Sequence, residues 1–239
     1  MENYSSVRKT IFTETTQDIT DVRLSFLEKF GNQVDRFVDN MSQAFLNWRS
    51  LDLDTSGDEK KEHVSALVYS SIDLHVVSMK LFLSGYGVAA GNLERQTIEV
   101  IALAILCSRK DLDILDRFIQ NQYSTNKALR DLNKHSEKLN LSKQAIHKLI
   151  KARDHFHDHS HPSYITIGSN VSFKGQCLYL GASFDHGKIE FYDKDVAGRL
   201  SLSGFFSNYI EGVKKIYLNG DIPYQGTEVN ANQQDLFGL

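Results

Sequence analysis

Cysteine and proline are both scarce. The two cysteines, Cys107 and Cys177, stand in apolar surroundings without a partner at metal-ligand spacing, which argues against a disulfide framework and against a thiolate zinc site. A reducing cytoplasm fits that usage. The two prolines, Pro162 and Pro223, fall late, so no proline interrupts a helix before residue 162. Long apolar runs are missing as well. The longest, Ile98 to Cys107, has Glu99 inside it and is about half of what a bilayer crossing needs. It reads as a core helix, and no membrane association is expected. Met1 to Lys9 is not followed by the apolar core of a signal peptide, so export is not indicated. Charge of one sign is not in excess either. With 27 basic against 30 acidic residues, binding to nucleic acid or to an anionic surface has to come from a local patch.

What is present is an ordinary globular composition: 239 residues, 41% hydrophobic and 24% charged, enough to bury a single core. From Asp21 to Arg49 the residues Phe26, Phe30, Val34, Phe37, Val38, Met41, Phe45 and Trp48 recur at helical spacing, and the segment from Leu51 to Gly57 is expected to break that helix. Ser56-Gly57-Asp58-Glu59 opens a second helix with acids in its first turn, and Val64, Leu67, Val68, Ile72, Val76, Met79 and Phe82 keep the period. Gly85-Tyr86-Gly87 turns it back into a third, about Val88 to Ser108, and the two form an antiparallel hairpin. Weaker helices are expected near 110–122, 125–138 and 142–160, the last capped by Ser142.

Pro162 ends this run. Tyr164 to Ile167 and Gln176 to Tyr192 are rich in β-branched and aromatic residues, and Asp185-His186-Gly187 reads as a hairpin turn. A last helix is expected from about Asp195 to Tyr217. The reading is therefore a mostly α protein: one helical body over 1–218 with a small β-hairpin near 164–192, then a flexible tail over 219–239.

Titratable chemistry concentrates in Arg153-Asp154-His155-Phe156-His157-Asp158-His159-Ser160-His161, just before Pro162. One reading is a polar helix end whose histidines meet the last carbonyls. Another takes Arg153, Asp154 and His159, with five residues between the arginine and the histidine. This pattern resembles the Arg-x(4–6)-His motif of the HEPN nucleases, as do the helical hairpin around Val88 to Ser108 and the ending His161-Pro162-Ser163. The resemblance spans roughly residues 15 to 217 and implies an HEPN-like helical bundle. It also implies metal-independent RNA cleavage of the toxin or antiphage-defence kind, in which a ribose 2′-hydroxyl attacks the adjacent phosphate. Arg153 and His159 would be the active pair, with Asp154 and His157 beside them, no cofactor, an RNA substrate and a homodimer that brings two motifs together. The extra histidines leave open which one is active. Arg95 and Glu99, one turn apart, either line the same cleft or form a buried pair, and the buried pair is favoured. A metal-dependent alternative takes His155, His157, His159, Asp154 and Asp158 as ligands. It resembles the HD phosphohydrolases through His157-Asp158, with His135 or His147 and Asp185 or Asp195 as further ligands, and ranks below the HEPN reading.

The chain ends Gln233-Gln234-Asp235-Leu236-Phe237-Gly238-Leu239. Gln233, Asp235, Leu236 and Phe237 resemble the Gln-x-Asp-Leu-Phe peptide with which bacterial replication and repair proteins bind the DNA sliding clamp; here Gln234 replaces the usual leucine. Leu236 and Phe237 would fill an apolar pocket while Gln233 is hydrogen-bonded. The combined expectation is a cytoplasmic HEPN-type RNase tethered to the clamp. Its alternative is a non-catalytic clamp-binding or scaffold protein.

Overall fold

The computed structural model describes residues 4–139, 141–159, 161–173 and 178–219. The sequence-predicted tail beyond Asn219, with the clamp-like peptide Gln233 to Phe237, lies outside them. The described residues form nine α-helices joined by short connections, and no strand is found among them.

The first helix, α1 (Tyr4–Thr16), buries none of its residues. The second, α2 (Thr20–Thr55), runs past the expected break, because Leu51 and Thr55 keep the spacing of Phe37, Met41 and Ala44 and are buried with them. Asp58 then accepts the Lys61 N–H at 3.2 Å and caps α3 (Glu59–Leu83). By length and composition α3 is apolar enough to cross a membrane; in the fold its Val64, Val68, Ile72, Met79 and Phe82 are core residues. Gly85 makes the turn into α4 (Gly87–Cys107) with φ +80°, and a Cβ there would overlap the backbone of Ser183. Glycine is required on both counts. Ile98 to Cys107 is buried in α4, apart from Val100, as its apolar sequence predicts.

Two short helices, α5 (Ile114–Ile119) and α6 (Ala128–Lys134), replace the longer ones expected over 110–138. Ser142 caps α7 (Lys143–His157) by accepting the Ala145 N–H. The hairpin expected over 164–192 is corrected by the structure. Tyr164–Ser169 is a helix, α8, whose Ser163 and Thr166 side chains each bind the other's backbone N–H, at 3.2 and 2.8 Å. Asp185 is not a hairpin turn residue: its carboxylate accepts the N–H of Gly187 at 2.8 Å and starts the turn that leads into α9 (Ile189–Asn219). Ile189 to Tyr192 is therefore helical. The only β pairing among the described residues is a single antiparallel bridge, Val171 to Leu178.

The α3–α4 hairpin is the centre of the molecule. Helix α2 packs on α3 and α9, while α6 and α7 cover the other side of α4. One contiguous core joins Phe26, Phe82, Ile98, Leu103, Phe156 and Phe206.

Candidate active site

Helix α7 lies on α4 with opposite direction. Arg153 reaches Glu99, His157 lies near Arg95, and His159 rests on Gly91, so numbers fall on one helix as they rise on the other. Two separate groups of polar side chains result.

The first is part-exposed. Arg95 Nε is 3.0 Å from Glu99 Oε1, Arg153 Nε is 3.8 Å from the same oxygen, and Arg153 also donates to Asp154 at 3.0 Å. Glu99, itself buried, thus holds two part-buried guanidinium groups at the edge of the core. The sequence-favoured pair Arg95–Glu99 is present, with Glu99 buried and Arg95 part-buried, and Arg153 adds to it. His157 joins it from one turn along α7, and its ring lies 4.5 Å from that of His161. Desolvation, then the neighbouring Arg153, His161 and Arg95 side chains, hold the His157 pKa below the usual imidazole value, against the opposing Asp158. A neutral imidazole beside two arginines is the outcome.

The second group is buried. His159 is 2% exposed, with its ring against Phe156 and Phe191. A Cβ at Gly91 would overlap that ring, so only glycine lets it dock on α4. Burial lowers the His159 pKa, Asp195 opposes this, and Arg199 and His155 add to it. His155 Nε2 is 3.3 Å from Asp195, which also pairs with Arg199 at 3.2 Å. Arg199 is fully buried between the Phe82 and Phe156 rings and donates to Ser78. Burial alone would raise the Asp195 pKa, but Arg199 and the two histidines outweigh it and keep the carboxylate ionised. Next to Ser78, Glu94 pairs with His75 across 3.0 Å, both groups wholly inside. Sequence reasoning singled out neither Arg199 nor Glu94. The signal for each was a charged residue within an otherwise apolar stripe of its helix.

The structure therefore separates the two members of the motif pair. Arg153 and Asp154 are at the surface with His157, whereas His159 is inside, and its docking glycine is two turns of α4 from Glu99, about 12 Å along the axis. The alternative metal ligands disperse as well. His155 binds Asp195, His147 is exposed, Asp185 accepts backbone N–H groups, and no three His, Cys, Asp or Glu side chains among the described residues gather into a metal-binding group. No family model matches the sequence, and no curated protein or solved structure matches it either.

Proposed function

We propose that the protein is an HEPN-type, metal-independent ribonuclease of the toxin or defence kind, in which Arg153 and His157 form the working pair and Arg95 assists. The observation that carries this reading is the cluster on the α4–α7 face: two arginines held by Glu99 next to a histidine whose pKa is depressed. Arginine binds a phosphodiester through planar paired donors. A neutral imidazole accepts the 2′-hydroxyl proton as that oxygen attacks phosphorus, and the leaving 5′-oxygen takes a proton from water, which the imidazolium so formed restores. A homodimer opposes the two α4–α7 faces across the substrate. In this assignment His159 is a packing residue and His157 replaces it in the motif pair.

The C-terminal peptide adds recruitment. Its support is the sequence Gln233 to Phe237 itself, and the proposed partner is the DNA sliding clamp of a bacterial cytoplasm. Incubation with a mixed RNA pool in EDTA tests the catalytic part. Cleavage without metal is expected. Cleavage only after addition of a divalent ion would favour the HD-like alternative, and intact RNA in both conditions would leave a non-catalytic clamp binder.

A further inference from the structure

A cavity of about 260 Å³ opens among α2, α3, the start of α4, α8 and α9, with His159 on its wall and none of the arginine cluster lining it. Its walls include the rings of Phe82, Phe173, Phe191 and Tyr192. An apolar cavity of about 150 Å³ already holds benzene, so a bicyclic ring fits here. Two charged groups on the lining are already partnered: Asp195 with Arg199 and His155, and Lys188 with the Ser169 carbonyl at 2.9 Å. His159 is not. Although the residue is only 2% exposed, neither of its ring nitrogens makes a hydrogen bond among the described residues. The His155 carbonyl faces the ring without reaching hydrogen-bond geometry.

We infer that this cavity is a binding site for a small, neutral, planar heteroaromatic molecule whose ring edge carries a hydrogen-bond donor and acceptor for His159. Each part of that description has a cause. Aromatic walls favour a flat ring. A hydrocarbon would leave the imidazole unsatisfied, whereas a ring with N–H and N at its edge meets one or both of its nitrogens. The lining carries one anion, Asp195, and one cation, Lys188, so a charged ligand meets a like charge whichever its sign, and a neutral ligand is selected. The site needs no catalytic role of Arg153 or His157, and its test is a binding measurement on the intact protein.

The probes are azaindole, whose ring N–H lies beside a ring nitrogen, and indene, a hydrocarbon of the same shape. Calorimetric titration is expected to show azaindole binding with Kd on the order of 100 µM, and indene roughly fivefold to tenfold weaker. Gly168 lines the cavity, and a Cβ there meets nothing within 4 Å. Gly168→Leu is therefore expected to remove binding of both probes while leaving the melting temperature unchanged or raised. His159→Leu should make the two probes bind alike; if that variant does not fold, the wild-type preference and Gly168→Leu decide. No azaindole binding at millimolar concentration, indene as tight as azaindole, or undiminished binding to Gly168→Leu would each overturn the inference.

Discussion

Arg153, His155, His157 and His159 do different work although they are neighbours in sequence. His157 shares a surface with Arg153 and Arg95, while His159, two residues on, is inside against Gly91. The turn that follows α7 is the reason: the chain leaves the helix at His157, and the His159 N–H donates to the Phe156 carbonyl at 3.2 Å, which brings that side chain round to the core. Sequence spacing made both legible as candidates, but it could not show which would be covered, because that depends on a glycine more than sixty residues earlier. Two predictions belong here. Gly91→Ala is expected to destabilise the fold by about 1–3 kcal/mol through overlap with the His159 ring, and His159→Ala in the same chain should relieve much of that loss, which urea unfolding of the single and double variants measures. Independent costs that simply add would refute the docking. The depressed pKa of His157 means that its imidazole becomes neutral at a lower pH than usual. As a base it acts in the neutral form, so the acid limb of a pH–rate profile should fall below the ordinary histidine value of about 6.5. An acid limb above that value would point to another base.

Among the elements, α9 and α8 show where local signals were readable and where they lost. Phe191 and Tyr192 read as strand because aromatic residues favour strands, yet Asp185 starts a turn that puts both on the first turn of a helix of 31 residues. Their rings then fill the core instead of a sheet face, that of Tyr192 centred 5.0 Å from that of Phe26. Ser163 and Thr166 cap α8 reciprocally, a pairing that the strand-like reading of Tyr164 to Ile167 passed over. By contrast, the stripes of α2, α3 and α4 were legible at once, since an apolar period of three to four residues kept over many turns buries a continuous face only in a helix. The same helix α9 carries Asp195 and Arg199 inward. Removing the cation alone, as in Arg199→Met, leaves a buried carboxylate facing His155 and is expected to cost about 3–5 kcal/mol. Asp195→Leu combined with Arg199→Met should be more stable than Arg199→Met alone. Denaturant midpoints decide this, and a double variant weaker than the single one would show that the pair is not the unit of stability.

For the whole molecule, a mostly helical body and the α3–α4 hairpin were legible in the sequence, whereas the other helix pairings and the division between an arginine cluster and a buried ionic network were not. That division sets the functional reading: chemistry on the α4–α7 face, packing and a cavity around His159. The proposed recruitment through the C-terminal peptide is independent of it. A peptide from Asn230 to Leu239 is expected to bind a bacterial sliding clamp with Kd on the order of micromolar, and Leu236→Ala with Phe237→Ala to remove that binding. No calorimetric signal, together with no competition against an established clamp peptide, would show the likeness to be accidental. The roles of Arg153 and His157 are reached directly by one measurement: the cleavage rate of a single RNA in EDTA by wild type, Arg153→Ala and His157→Ala, each with its folded state checked by circular dichroism. Wild type is expected to cleave and leave a 2′,3′-cyclic phosphate, and either variant to lose about 10²-fold or more without unfolding. Undiminished cleavage by His157→Ala, or none by wild type, would contradict the assignment of this pair.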